Sequence, residues 1–173
     1  MKMNVSVVMG IDPSLTSTGL VVLENDCLVS SGTLEVKEKG IARLLALQKE
    51  LEAKLLEYQP TLVVVEGYAF ARANQAHQLG ELGGMIRLLL TQKQVPWIEV
   101  PPTQAKKFAA GKGNAPKDLI LMNVYKRWGV EFGTSDEADA YVLARIGQAI
   151  LGDLKGLTQE QVKIIKAIKK AAA

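Results

Sequence analysis

Four carboxylates in this sequence lie at positions that are expected to be buried or partly buried. Burying a carboxylate costs free energy unless a partner compensates its charge. Asp12 and Glu66 each close a run of apolar, largely β-branched residues, the pattern of a strand buried on both faces of a sheet. Asp136 and Asp139 come later and are three residues apart, so they share one face of a helix. A bound cation, a helix N-terminus or an arginine would offset the cost of burying such groups.

If these four acids lie together, the type of ligand atom they offer determines which metal ion they could bind. No cysteine or histidine accompanies them, so the ligand set would be all oxygen, which favours hard cations such as Mg²⁺ or Mn²⁺. Two such ions about 3.5–4 Å apart can activate a water and stabilise the leaving oxygen in phosphodiester hydrolysis. A structural alternative stays open: Asp12 would cap the turn that starts at Pro13, and Asp136 and Glu137 would serve their helix dipole.

Length and composition favour a single globular domain and argue against a membrane-spanning, secreted or disulfide-stabilised protein. A length of 173 residues suits one domain with a sizeable core. No apolar run reaches the roughly 20 residues that cross a bilayer, and the first residues lack the pattern of a signal peptide. Cys27 is the only cysteine, which excludes an internal disulfide and a four-cysteine zinc site. A reducing cytoplasm is therefore the expected compartment, with no membrane partner.

The distribution of charge indicates a polyanionic partner. The whole chain has a net charge of +3, yet residues 102–128 carry +5 and residues 155–173 carry +4. Two basic segments on an otherwise acidic body are typical of local nucleic-acid binding. Within the first segment, the turn at 111–116 would bring backbone amides and Lys112 close to a phosphate. It lacks the spacing of a nucleotide-binding P-loop.

The order of the predicted elements places the acids at one edge of a sheet. A strand at 5–12, a strand at 20–23 and a strand at 27–36 predict an antiparallel meander, with Asn25-Asp26 as a hairpin turn. A helix over 40–58 then leads to a strand at 62–66, which a right-handed crossover makes parallel to the first. Ligands bind at the carboxyl ends of parallel strands, where Asp12 and Glu66 would both lie.

The second half of the chain is predicted to be mainly helical. We expect a short strand at 97–100 and four helical segments, at 74–94, 103–108 and 116–128 and from Ser135 as N-cap onward. The first of these helices contains Gly80, Gly83 and Gly84, each costing about 1 kcal/mol relative to alanine. They predict close packing by another helix, a second subunit or the domain's own sheet. His77 near its start receives no role.

Several motifs resemble those of the RuvC family of Holliday junction resolvases over about residues 5–150. They are Gly10-Ile-Asp-Pro-Ser14, Val64-Val-Glu66, the lysine-rich stretch 106–117 and Asp136-Glu-Ala-Asp-Ala140. The resemblance implies an α/β, ribonuclease H-like fold whose central mixed five-stranded sheet, three antiparallel strands and then parallel ones, is flanked by helices. It also implies a homodimer that nicks opposing strands of a four-way DNA junction with Mg²⁺, Mn²⁺ being a substitute.

The resemblance assigns roles to individual residues. The family's catalytic, metal-binding acids correspond to Asp12, Glu66, Asp136 and Asp139. Its DNA-contacting lysines correspond to Lys106, Lys107 and Lys117, beside which we place Lys112. Its base-stacking aromatic corresponds to Tyr68 or Phe70, with Arg72 as a further DNA contact.

The sequence also departs from the family pattern. Ser14 replaces a usual glycine, Gly67 replaces a usual glutamine, and the stretch up to Leu79-Gly80 is one residue short. These departures leave the stacking aromatic ambiguous and suit a phage-encoded member with a broader preference for branched DNA.

The resemblance also predicts a division of the chain. Residues 1–152 would form the nuclease domain, and residues 153–173 a basic helical tail. Thr158 and Gln161 have the spacing of a capping box at the start of that tail. The tail would be an extra DNA contact or a solvated helix.

Three alternatives compete with a junction-resolving endonuclease. One is a relative with broader selectivity that cuts flaps, forks, three-way junctions or RNA. Another is a nucleotide-binding protein of the sugar-kinase and actin superfamily, which needs a second similar domain for which 173 residues leave no room. The last is a non-catalytic junction-binding module, against which the four intact acids argue.

Overall fold

A five-stranded mixed sheet forms the centre of the protein in the computed structural model, which describes residues 5–68 and 75–172. The strands are ordered β3-β2-β1-β4-β5 across the sheet. Strand β1 is antiparallel to β2 and parallel to β4, β2 is antiparallel to β3, and β4 is parallel to β5. This arrangement confirms the predicted sheet. The strands are β1 (Val7–Asp12), β2 (Thr18–Glu24), β3 (Cys27–Leu34), β4 (Leu62–Glu66) and β5 (Trp97–Val100).

Helices cover both faces of this sheet and produce two hydrophobic cores. One face packs against α1 (Gly40–Tyr58) and α2 (Ala76–Gln92), and the other packs mainly against α5 (Ser135–Leu151). Helices α3 (Pro102–Ala110), α4 (Lys117–Trp128) and α6 (Gln159–Ala172) complete the second layer. Burial on both faces explains why β1, β2 and β4 are continuously apolar rather than alternating. The predicted helices are confirmed, with ends that differ by a few residues.

Helix α5 lies directly on the central strands because two glycines leave room for its backbone. A methyl group at Gly10 in β1 would overlap the carbonyl oxygen of Ala140, and one at Gly19 in β2 would overlap that of Asp136. The helix is buried along most of its length, from Ala138 to Ala149. Its N-terminus is therefore fixed against the ends of β1 and β2.

The glycines of α2 have different surroundings. A methyl group at Gly83 would meet Arg87 and Tyr68, whereas one at Gly80 or Gly84 would meet nothing within 4 Å in the part of the chain that the structure describes. Packing onto the domain's own sheet is therefore the wrong explanation for Gly80 and Gly84.

The C-terminal helix α6 is anchored to the second layer rather than surrounded by solvent. Ile164, Ile165 and Ile168 are buried in the core that α3 and α5 help to form. The predicted capping box is confirmed: the Thr158 amide donates to Gln161 Oε1 over 3.0 Å, and the Gln161 amide donates to Thr158 Oγ1 over 3.2 Å. The division of the chain at residue 152 stays a prediction.

Across residues 5–68 and 75–172, each helix is too short or too polar to span a bilayer.

Candidate active site

The four candidate acids line one pocket of about 280 Å³. Asp12 and Glu66 come from the carboxyl ends of the parallel strands β1 and β4, as predicted from the strand order. Asp136 and Asp139 come from the first turn and a half of α5. Elements far apart in the sequence thus supply carboxylates to the same cavity.

The turn that follows Asp12 is held by other side chains. Thr18 Oγ1 donates to the Ser14 carbonyl oxygen over 3.1 Å and accepts from the Ser14 amide over 3.3 Å. Asp12 itself is buried and faces the pocket. The hydrogen bonds of the turn therefore leave the Asp12 carboxylate to the pocket.

The N-cap of α5 is Thr134, and the prediction of Ser135 was wrong. Thr134 Oγ1 accepts from the Glu137 amide over 3.2 Å and bonds to the Glu137 carboxylate over 2.9 Å. Thr134, unlike Ser135, stands three residues before a glutamate, the sequence spacing of a capping box, and its hydroxyl contacts both the amide and the carboxylate of Glu137. Ser135 instead accepts a hydrogen bond of 2.8 Å from Lys117 Nζ. The same lysine nitrogen lies 3.6 Å from Asp136 Oδ1, so it links α4 to the acids.

Burial and the charges of neighbouring acids raise the pKa values of Asp12, Glu66 and Asp139. Desolvation raises the pKa of Asp12 well above its ordinary value, and the charges of Glu66 and Asp139 raise it further. Desolvation also raises the pKa of Glu66, although a hydrogen bond with Asp12 acts in the opposite direction. Desolvation raises the pKa of Asp139 to about 6, against the opposing effect of Lys117 and Lys106. Three acids thus resist ionisation together, as expected of carboxylates crowded away from water.

This donor set suits a divalent cation. All four side chains offer hard carboxylate oxygens, and a cation between them would favour the ionised forms that burial and repulsion disfavour. Within residues 5–68 and 75–172, however, no three His, Cys, Asp or Glu side chains form a ready-made ligand set around one point. The four-acid metal centre therefore stays a prediction.

The candidate DNA-binding residues fall into separate groups. Lys106, Lys117 and Tyr68 line the pocket beside the acids. Lys107 lies on the α6 side of α3, where its Nζ is 2.6 Å from Glu160 Oε1. Lys112 is exposed in the turn between α3 and α4 and does not line the pocket. The remaining two candidates, Phe70 and Arg72, lie outside the described residues.

Residues 8–152 match the family model described as crossover junction endodeoxyribonuclease RuvC. The chain belongs to the RuvC family. RuvC from Rickettsia felis is 32% identical over 148 residues, which cover 80% of this chain and 94% of the relative. RuvC from Prochlorococcus marinus (strain MIT 9303) is 28% identical over 152 residues, covering 81% of this chain and 96% of the relative.

A solved structure of the family has the same fold. Thermus thermophilus RuvC in complex with a Holliday junction substrate superposes with a TM-score of 0.71 at 26% identity, covering 86% of this chain and 97% of the other. The predicted α/β, ribonuclease H-like fold is confirmed. The RuvC match ends at residue 152, so α6 lies beyond it.

One group of residues at the pocket was missed by the sequence interpretation. The guanidinium of Arg87 in α2 packs on the Tyr68 ring and binds Glu99 of β5. A methyl group at Gly67 would lie 2.7 Å from Glu99 Oε1, so the usual RuvC glutamine does not fit at residue 67 unless Glu99 moves. Two signals were available: Gly67, which departs from the family pattern, and Gly83, one of the helix glycines that predicted close packing; both leave room for this arrangement.

Proposed function

We propose that this protein is a metal-dependent, structure-selective endonuclease that resolves Holliday junctions by paired nicking of two DNA strands. The observation that carries the proposal is the gathering of four carboxylates and two lysines in one pocket of a RuvC-family chain. The Thermus relative has been solved with a Holliday junction substrate, which supports branched DNA as the partner. The four intact acids argue against a non-catalytic junction-binding module.

In this proposal Asp12, Glu66, Asp136 and Asp139 would hold two divalent cations, Mg²⁺ with Mn²⁺ as a substitute. Cations held there would activate a water as Lewis acids and stabilise the leaving oxygen of the phosphodiester. The chain's own residues orient the substrate. Lys106 and Lys117 provide positive charge at the pocket wall where a scissile phosphate would lie, and Tyr68 offers a ring to an unstacked base.

The proposal includes a homodimer, because paired nicks on opposing strands require two active sites. The α1–α2 side of the sheet supports such an assembly. Gly80, Gly84 and Leu88 follow one another at intervals of one helical turn on α2, and Leu88 is 58% exposed. Ile41 and Leu45 on the neighbouring α1 are also exposed. Small residues beside exposed apolar side chains suit close packing of a second copy.

The proposed setting of this activity is a reducing cytoplasm. Cys27, the only cysteine, is free and exposed, which suits such a compartment. Phage origin stays a prediction.

The deciding experiment compares synthetic four-way, three-way, flap and linear duplex DNA, each incubated with and without Mg²⁺. A resolvase should make paired, symmetrical nicks in the four-way substrate only when metal is present. Equal nicking of the linear duplex would contradict structure selectivity, and cleavage in excess chelator would contradict metal dependence. The Asp12→Asn variant, purified in parallel, controls for contaminating nucleases.

A second candidate is a nuclease with broader selectivity for flaps, forks and three-way junctions. The observation that favours it is the local replacement of the family's glutamine by Gly67, which makes room for Glu99 beside the pocket. The same panel separates the two candidates, because the broader enzyme would cut flaps and three-way junctions at rates comparable with the four-way substrate.

A further inference from the structure

Helix α6 is an addition of this chain to the part that the RuvC family model covers. The match ends at residue 152, whereas α6 begins at Gln159. The helix is strongly amphipathic, with isoleucines on one side and lysines on the other. Its presence raises the question of what the lysine side binds.

The attachment of α6 is specific and involves the helix that borders the acid pocket. Gln161 is buried, and its Nε2 donates to the Phe108 carbonyl oxygen of α3 over 3.0 Å. Glu160 pairs with Lys107, also on α3. Because the neighbouring Lys106 lines the acid pocket, α3 joins α6 to the candidate active site.

Lysines carry the charge on the solvent side of α6. We call Lys163, Lys166, Lys169 and Lys170 the α6 lysine face, and all four are exposed. The one acid of this helix, Glu160, is occupied by Lys107, and that contact lowers the pKa of Glu160, so it stays ionised in the pair. The α6 lysine face therefore carries a net positive charge.

The chemistry of this face favours a nucleic acid over a membrane. A helix that lies in a membrane interface must keep its apolar side free for lipid. Here Ile164, Ile165 and Ile168 are buried in the protein core, so only the charged side is available. The four lysines lie within residues 163–170, about 10 Å along the helix, which corresponds to about three phosphates of one strand at 3.4 Å per charge.

We propose that the α6 lysine face binds the phosphates of a duplex arm next to the cleaved strand. The proposal rests on the proposed function, because it takes the acid pocket as the point of cleavage. It assigns α6 to affinity for duplex DNA, not to recognition of the branch point. The contact should therefore operate on a junction arm and on plain duplex alike.

The test compares two triple variants with the same change in net charge. Lys163→Ala/Lys166→Ala/Lys170→Ala, the α6 variant, removes three of the four lysines of the α6 lysine face. Lys37→Ala/Lys54→Ala/Lys93→Ala, the α1 variant, removes three lysines from the α1 side, on the opposite face of the sheet and outside the proposed dimer contact. Equilibrium binding to a four-way junction and to a linear duplex is measured in metal-free buffer over a salt series, and circular dichroism checks that both variants are folded.

The α6 variant should bind both DNAs about tenfold more weakly at physiological salt, with a salt slope that is shallower by about 2 to 3, since each phosphate contact contributes about 0.9. The matching Lys→Arg triple should retain wild-type binding. Equal losses in the α6 and α1 variants would attribute the effect to net charge and overturn the proposal, as would wild-type binding by the α6 variant. Cleavage of the junction by the wild-type protein with Mg²⁺ is scored separately, so failure of the nuclease proposal is distinguishable from failure of this one.

Discussion

The guanidinium of Arg87 lies 4.2 Å from the centre of the Tyr68 ring. Glu99 accepts two hydrogen bonds from that guanidinium, of 3.0 Å from Nε and 2.6 Å from Nη2. Gly83 makes the stack possible, because a methyl group there would lie 2.5 Å from Arg87 Nη1 and 2.8 Å from Tyr68 Cε1. The orientation of the ring at the pocket therefore depends on α2 and β5 as well as on the segment that carries Tyr68.

Glu99→Gln should weaken binding of the junction by loosening this stack. A cation–π contact contributes about 0.5–2 kcal/mol, so we expect KM to rise about threefold to tenfold with a smaller change in kcat. Steady-state cleavage of a four-way junction measures both constants. Tyr68→Ala should have a similar effect, and the double variant should add little to either single one. The control is Glu57→Gln, which breaks an exposed ion pair on α1. If the effects of Tyr68→Ala and Glu99→Gln on KM are fully additive, the two residues do not act through the same stack.

Asp12→Asn and Glu66→Gln should each abolish cleavage while leaving junction binding intact. The substitutions remove carboxylate ligands but leave Lys106 and Lys117 in place. We expect cleavage to fall by at least about 10³-fold, a loss of about 4 kcal/mol of transition-state stabilisation. Cleavage assays with Mg²⁺ and gel-shift assays in chelator provide the two measurements. Asp118→Asn, an exposed acid in the first turn of α4, is the matched control; normal nicking by either pocket variant would refute the assignment.

Asp139 should make the metal-free protein less stable as pH rises. Its pKa is about 6 in the folded chain against 3.8 ordinarily, so the folded state binds its proton more tightly than the unfolded state does. Relative to Asp139→Asn, the wild-type protein has its full stability below about pH 4 and loses up to about 3 kcal/mol as pH rises through 6. Urea denaturation of both proteins at several pH values in chelator measures this difference.

Adding Mg²⁺ at pH 7 should restore much of the lost stability in the wild-type protein but less in Asp139→Asn. A stability difference between the two proteins that is constant from pH 4 to 7 would contradict the raised pKa of Asp139.

Lys117→Ala should alter the pH dependence of cleavage as well as DNA affinity. The lysine charge lowers the pKa of both Glu66 and Asp139, so its removal should raise both pKa values and move the acidic limb of the pH–rate profile to higher pH. Binding should also weaken and become less dependent on salt. Lys107→Ala is the comparison, since Lys107 pairs with Glu160 of α6 and not with a pocket acid. An acidic limb that moves equally in both variants would show that the shift does not arise from the pocket.

Leu88→Lys should disrupt the proposed homodimer. A charge on the exposed stripe of α2 would have to be desolvated in a subunit interface, at a cost of a few kcal/mol. Analytical ultracentrifugation should show a monomer, and cleavage should change from paired to single nicks. Met122→Lys places the same charge on an exposed apolar position of α4, on the other side of the sheet, and should stay dimeric. If the Leu88→Lys protein is still a dimer, Leu88 does not lie in the subunit interface.

The sequence predicted the parts of the site that depend on element order. Asp12 and Glu66 could be placed at one edge because a crossover helix makes β1 and β4 parallel, and the carboxyl ends of parallel strands coincide. The choice of Thr134 over Ser135 required attention to Glu137, three residues further on. Such local hydrogen bonding is accessible to sequence analysis, but two adjacent hydroxyl residues satisfy a simple N-cap rule equally well.

Contacts between distant residues could not be predicted in this way. Arg145 of α5 is buried, donates 2.8 Å hydrogen bonds to Tyr141 Oη and Gln148 Oε1, and pairs with Asp26 in the β2–β3 turn. Asp26 is 119 residues away in the sequence, and nothing in the periodicity of either segment indicates the pairing. The Arg87–Tyr68 stack was missed for the same reason. The lysines of α6 suggested solvation, although its isoleucines at 164, 165 and 168 already had the spacing of a packed face.

The close contact of the α5 backbone with Gly10 and Gly19 determines which substitutions the protein can tolerate. The separation between the strand that carries Asp12 and the helix that carries Asp136 is fixed where main chain meets main chain, not by the sizes of interchangeable core side chains. Substitutions of core side chains elsewhere in the interior are therefore expected to leave the spacing of these carboxylates unchanged. Gly10 and Gly19 are thus two positions where even one added carbon would force α5 away from the sheet and widen the pocket that holds the acids.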